Sequence, residues 1–305
     1  MRKIYKYMSF RKEFLTQPRL RASQRGVLND PFELSPAQDL IDKALIDGIS
    51  DEFFTKTKVF LTETDFNQVG VISFTENYNN LLMWSHYANE HKGVVIEFDY
   101  HKLQSYLNYK LSTHNSIERV HYNRERYSPL ECQVCIKDVL LTKSDDWIYE
   151  KEHRVLSSIL HVDSVKANRE FYEQLHDFYN NIYSELFVIE SEDESTVSFH
   201  VNPLACTEFD IQDLDGNSTD DNEEMEYSHS ELALKEMFDS LSLSPSTVFL
   251  FDIPINCITA VFAGCRISDT DLNEISRFAR KQQIPVFKAQ LSKQHFALEF
   301  CRVNV

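Results

Sequence analysis

The chain has 305 residues, 42% hydrophobic and 12% aromatic, enough for one large domain with a sizeable core. Its 6 glycines, with no GxGxxG and no Walker-type loop, argue against a Gly-rich phosphate-binding fold, and no apolar run approaches membrane-spanning length. The net charge of −17 is local, because residues 170–234 hold 18 Asp or Glu and no Lys or Arg, leaving 30 acids against 31 bases elsewhere.

Residues 2–8 alternate and predict a strand. The start does not read as a signal peptide, so a cytoplasmic location is expected. Residues 20–33 predict a strand and then a turn at Asn29-Asp30-Pro31, with Phe32 anchoring the loop in the core. Residues 36–66 have helical spacing, and 69–74 (VGVISF) is a strand. Residues 79–91 predict a helix, which Lys92-Gly93 caps with Gly in the left-handed conformation. Strands are expected at 94–99, 117–123 and 149–159, and helices at 100–108 and 165–188. Cys132-Gln133-Val134-Cys135 lacks the second pair that a zinc site wants, so core thiols are expected.

Residues 195–201 predict a strand, 207–230 a mobile acidic loop and 231–241 a helix. The acidic run reads first as a solvated insertion and second as a docking strip for a basic protein partner or a mimic of nucleic acid. No basic stripe points to nucleic-acid binding, and no membrane partner is expected. Strands at 248–251, 258–263, 285–290 and 297–303, with a helix at 268–283, complete the chain. Strands and helices mix without regular βαβ alternation. The expected class is α+β, a mixed, largely antiparallel sheet core with flanking helices in a single domain, 1–305, carrying an acidic insertion at about 160–245.

The segment Trp147-Ile148-Tyr149-Glu150-Lys151-Glu152-His153-Arg154 carries the most chemistry. Read as a strand, it puts Ile148, Glu150, Glu152 and Arg154 on one face. Two carboxylates so close repel, and each raises the other's proton affinity. They need a compensating cation, a solvent-filled cleft or a chemical use.

Five blocks together resemble the bacterial domain-of-unknown-function family 2971: Leu28-Asn29-Asp30-Pro31-Phe32-Glu33; Ile72-Ser73-Phe74-Thr75-Glu76; Leu82 to Ala88 with His91-Lys92-Gly93; Trp147-x-Tyr149-Glu150-x-Glu152-x-Arg154; and Pro254 to Gly264. More distantly, the chain is similar to ADP-ribosyltransferase-type folds. These use a tyrosine, histidine or arginine on an early strand, a serine on a middle strand and Glu-x-Glu on a late one. Tyr5 or Tyr7, Ser73 and Glu150-x-Glu152 follow that order.

That similarity implies an enzyme using NAD as substrate, with no tightly bound cofactor and no metal: an ADP-ribosyltransferase or NAD glycohydrolase serving as a toxin or antiphage-defence effector. Glu152 would stabilise an oxocarbenium-like transition state, and Glu150 would orient the acceptor. Arg154 or Arg21 would hold the pyrophosphate, and Tyr5, Tyr7 or Trp84 would stack on nicotinamide. Asn29, Asp30, Tyr87 and His86 complete the candidate binding set. Read without catalysis, Glu150, Glu152 and Arg154 form a surface ion-pair ladder, Trp84 and Tyr87 line core or cleft, and His86 is a satisfied structural histidine. Two other classes compete. One is a non-catalytic sensor of a small ligand or peptide. The other is a metal-dependent hydrolase using His86, His91, Asp30 and Glu152, drawing on the four-residue spacing of His86 with Glu90 and Tyr87 with His91.

Overall fold

Alternation along the strands builds the frame. In β1 (Lys3–Met8), Ile4 enters one hydrophobic cluster while Tyr5 and Tyr7 enter a second on the opposite face. The computed structural model describes residues 2–34, 37, 67–111, 117–126, 136–180, 187–201 and 229–304. The helical expectation for 36–66, nearly all of the acidic loop 207–230, Cys132 and Cys135 lie outside these residues. Cys257, Cys265 and Cys301 are free thiols.

The other strands are β2 (Arg19–Ala22), β3 (Val69–Thr75), β4 (Val94–Asp99), β5 (Glu118–Arg119), β6 (His121–Asn123), β7 (Thr142–Ser144) and β8 (Glu152–Ser158). They continue with β9 (Ser164–Asn168), β10 (Phe187–Glu192), β11 (Thr196–Val201), β12 (Val248–Asp252), β13 (Ile258–Ala263), β14 (Val286–Leu291) and β15 (Leu298–Arg302). One sheet has eight strands in the order β15-β14-β13-β4-β1-β3-β8-β5, and a second has five, β10-β11-β9-β12-β2. Within these two sheets only β13 and β14 run parallel, and β6 and β7 form a separate parallel pair. The protein is α+β and largely antiparallel.

The larger core lies on the face of the eight-stranded sheet that carries Ile4, Ile72, Phe74, Ile96 and Phe98. Leu20, Phe199, Phe249 and Phe251 of the second sheet join it, as do helical Leu103, Leu107 and Phe238. The opposite face is aromatic. Trp84, in the helix Leu81–Tyr87, meets Tyr7 edge-on at 5.4 Å, and Tyr78 stacks on Phe262 at 4.7 Å. Asn80 starts that helix by accepting the backbone N–H groups of Leu82 and Met83 at 2.9 and 3.1 Å.

Several boundaries differ from the sequence reading. The helix at 79–91 stops at Tyr87, because Asn89, Glu90 and His91 all take positive φ (47°, 53° and 69°). Gly93 is not the left-handed cap. It is a point of close approach, where a Cβ would lie 2.4 Å from the Met8 carbonyl oxygen. The helix at 165–188 shrinks to Arg169–Asn180, with β9 before it and β10 after it. Residues 117–123 divide into two short strands, β5 and β6, which pair with β8 and β7 respectively.

Gly264 closes the His91 turn: its N–H donates to the Gly93 carbonyl at 3.0 Å, and a Cβ there would fall 2.0 Å from the His91 oxygen. Backbone cannot yield as a side chain can. Gly264→Ala is therefore expected to cost at least about 1–3 kcal/mol, read as a lower thermal midpoint. An unchanged midpoint would show that the turn is not tightly packed.

Candidate functional site

Residues 147–151 are not strand. Asp145–Glu150 wind as a 3-10 helix, with Ser144 Oγ accepting the Asp146 N–H at 3.3 Å and two acids in the first turn. Lys151 ends it in the left-handed conformation (φ 45°), and β8 then begins at Glu152. The turn nevertheless aims Glu150 and Glu152 at the same place, the ammonium of Lys143 on β7.

Lys143 Nζ sits 2.8 Å from Glu33 Oε1, 2.7 Å from Glu150 Oε2 and 3.3 Å from Glu152 Oε2. It also lies 4.7 Å from the ring centre of Trp147. Arg154 holds the other side. Its Nε donates to Glu152 Oε1 at 2.9 Å, and its Nη2 donates to Glu33 Oε2 at 2.5 Å and to Glu152 Oε2 at 3.1 Å. Its Nη1 donates to the Leu140 carbonyl at 2.8 Å. All five side chains are at least nine-tenths buried. The compensating cations that the paired carboxylates require are thus built in, and charges so far from water stand only because they are paired and hydrogen-bonded.

The two acids of the Glu-x-Glu motif differ in environment. Burial pushes the Glu152 carboxyl up, but Arg154 and Lys143 outweigh it and, with a hydrogen bond from Ser73, bring it down to about 2. Glu150 lacks the arginine. Burial raises its carboxyl above the usual range, and Lys143 and the Tyr87 hydroxyl, which donates to Oε1 at 2.5 Å, only partly oppose this. Asn29, exposed, hydrogen-bonds Tyr87 in turn, so a polar chain runs from the surface through Tyr87 and Glu150 to Lys143. Tyr122, whose phenol burial pushes up to about 12, accepts the Glu152 N–H at 2.7 Å.

The sheet explains the convergence. Ser73 is in register with Arg154, Thr75 with Glu152, and Tyr5 with Thr75, so all five share the aromatic face. The early, middle and late strands β1, β3 and β8 are consecutive neighbours. Other sequence candidates stand elsewhere. Tyr5 bonds Glu97, and the Tyr7 hydroxyl accepts the Asn80 N–H at 3.2 Å. Trp84 is fully buried, with its indole N–H on the Tyr78 carbonyl at 2.9 Å, so it cannot stack on a ligand in this arrangement.

Neither arginine is placed to hold a pyrophosphate here. Arg154 is 0% exposed, with four of its five N–H groups spent inside the protein. Arg21 lies on β2 of the second sheet and donates to the Thr247 carbonyl at 3.2 Å and to Gln24 at 3.4 Å. His86 is exposed, its ring edge-on to Tyr87 at 6.2 Å. Because the helix ends before residue 90, the four-residue pairs do not form. Phe32 is 63% exposed and stacks under Arg126 instead of anchoring a core. Asp30 does make the expected Asx turn, its Oδ1 accepting the Phe32 N–H at 2.9 Å. Among the described residues no group of three His, Cys, Asp or Glu side chains is arranged to hold a metal ion, the three converging glutamates being centred on the Lys143 ammonium, and no helix is long and apolar enough to cross a membrane.

A cavity of about 230 Å³ adjoins the cluster. Glu33 and Lys143 form part of its wall, whereas Glu150 and Glu152 lie behind them. The sequence reading missed Lys143 as the hub. It also missed Lys6, whose ammonium donates to the Ser73 carbonyl at 2.6 Å and is held down to about 8 by burial, against the pull of Glu152.

No curated protein and no solved structure matches the chain. Residues 83–155, which carry Tyr87, Lys143, Glu150, Glu152 and Arg154, match the family model described as Protein of unknown function (DUF2971), the family that the sequence blocks resemble.

Proposed function

We propose that the protein cleaves the nicotinamide–ribose bond of NAD, as an ADP-ribosyltransferase or NAD glycohydrolase, with the carboxylates around Lys143 as its reactive centre. One observation carries the reading. Glu33, Ser73, Tyr87 and the Glu150, Glu152, Arg154 triplet come from four separate sequence blocks and meet in one buried cluster beside a cavity. Neighbouring carboxyls with proton affinities pushed apart cluster at functional sites.

In the reaction, the C1′–N bond breaks with its electron pair leaving on nicotinamide. A hydroxyl oxygen of water or an acceptor then bonds C1′, and its proton is released through a carboxylate. Of the three glutamates around Lys143, Glu33 is the one on the cavity wall, with Glu150 and Glu152 setting the field behind it. Draining NAD in this way would suit a toxin or antiphage effector.

A second reading rests on the inward aim of Glu150 and Glu152, neither of which lines the cavity. There the cluster is structural, and the protein is a non-catalytic sensor of a small ligand. Incubation of the purified protein with NAD, alone and with a cell lysate as acceptor source, decides between them. Release of free nicotinamide above the protein-free control is expected; its absence in both conditions would leave the sensor reading.

A further inference from the structure

Phe32 is a large apolar side chain that the chain holds out of its core. The residues around it are fixed. Asp30 is buried and its Oδ1 accepts the Phe32 N–H at 2.9 Å, while Glu33 is buried between Lys143 and Arg154. Leu34, also buried, takes φ 50°, a conformation that leucine rarely adopts and that persists only where the surroundings over-determine it. Between these anchors the Phe32 ring lines the cavity, 63% exposed and 4.6 Å from the Arg126 guanidinium carbon. An aromatic ring so placed is a platform on which another ring stacks.

The same wall adds two further features. Asn123, the last residue of β6, is exposed, and its side chain has no partner among the described residues. A free carboxamide offers a donor and an acceptor side by side, so it pairs reciprocally with a second carboxamide. Behind the wall, the three carboxylates of the Lys143 cluster face two cations, and Glu33 brings that excess of negative charge to the cavity. Arg124 and Arg126 at the rim are exposed and screened by water, whereas the cluster is buried and is not. An aromatic face beside a buried negative field favours a flat cation. The volume of about 230 Å³ is below the roughly 300–1,000 Å³ of pockets for drug-sized ligands, so the cavity takes one substituted ring and not a whole dinucleotide.

We infer that this cavity seats the pyridinium ring of an N-substituted nicotinamide, with the ring on Phe32, its carboxamide paired to Asn123 and its positive charge beside Glu33. The inference deepens the NAD reading and rests on it for the identity of the whole substrate, but it requires no bond cleavage. It moves the stacking role to Phe32 from Tyr5, Tyr7 and Trp84, all of which are buried in the second hydrophobic cluster. It also accounts for product release, because cleavage leaves a neutral nicotinamide without the charge that the site favours.

Calorimetric titration with 1-methylnicotinamide tests it. The comparison ligands are nicotinamide, which lacks the charge, and 1-methylpyridinium, which keeps the charge and lacks the carboxamide. Wild type is expected to bind 1-methylnicotinamide at least fivefold more tightly than either. Phe32→Ala is expected to weaken that binding at least tenfold, whereas Phe32→Tyr, which keeps the ring face, stays within threefold of wild type. Asn123→Ala is expected to erase the preference over 1-methylpyridinium and to leave the affinity for 1-methylpyridinium itself unchanged. A merely structural residue would not shift selectivity in this way. Both side chains are exposed, so native thermal midpoints are expected in all three variants.

No binding of 1-methylnicotinamide to wild type would overturn the inference, as would equal affinity for the charged and neutral rings. Undiminished affinity in Phe32→Ala, or an unchanged preference in Asn123→Ala, would overturn it too. Binding without nicotinamide release from NAD would keep this inference and remove the enzymatic reading. Nicotinamide release without 1-methylnicotinamide binding would do the reverse.

Discussion

Arg154→Leu is expected to cost about 3–5 kcal/mol of stability, because it removes one partner of a buried charge network. The arginine makes four hydrogen bonds, to Glu33, Glu152 and the Leu140 carbonyl, from a position with 0% exposure. Without it, three buried carboxylates share the single ammonium of Lys143. Leucine is a reasonable filler of the volume, so the loss measures uncompensated charge more than a void. The thermal midpoint should fall by on the order of 10 °C. Adding Glu152→Gln to Arg154→Leu should recover part of the loss, since the second change removes a stranded charge, and such neighbouring sites are strongly coupled. If Arg154→Leu melts within about 1 kcal/mol of wild type, the cluster is wetter or more adaptable than its geometry indicates.

Glu33→Gln should have the largest effect on chemistry for the least effect on folding. Glu33 is the cluster carboxylate that reaches the cavity wall. Three carboxylates face two cations, so neutralising one leaves the remaining charges balanced, and glutamine retains an oxygen for Lys143 or Arg154. In Glu152→Gln, by contrast, Arg154 loses its two-point carboxylate partner and stability drops as well. A fixed charge that stabilises a developing cation is worth roughly 10²–10³ in rate. Glu33→Gln is therefore expected to slow nicotinamide release by about that factor, mostly in kcat, with a thermal midpoint close to wild type. A rate within twofold of wild type would place the chemistry away from this cavity.

Much of the frame was legible in the sequence. The runs at 69–74, 94–99 and 258–263 are apolar and β-branched, and they became central strands of the larger sheet. The pairing of Glu152 with Arg154 was legible too, because it is a two-residue separation on one strand. Lys143 was not. It sits on a three-residue strand with no local pattern, and its partners arrive from elsewhere: Glu33 through a loop far upstream, Glu150 at the end of the 3-10 helix, and Glu152 past the left-handed turn at Lys151.

The same limit hid the Arg154–Glu33 contact, which spans 121 positions. The 3-10 helix at 145–150 did have a signal, a serine followed by two aspartates, but the tempting alternation of 147–154 masked it. β9 was lost because Val165 and Ala167 give only two buried alternations before helical spacing takes over.

The proposed reactive centre depends on Glu150 and Glu152, two residues apart and both touching Lys143, holding protons with different strength. Carbon-13 NMR of the labelled glutamate carboxyls, assigned with Glu150→Gln and Glu152→Gln, measures this directly as pH is varied. Glu152 should stay ionised down to about pH 2, and Glu150 should titrate above the ordinary carboxylate range of 4.5. Two carboxyls titrating together near that ordinary value would mean that both are open to water, and the buried field proposed behind Glu33 would be lost.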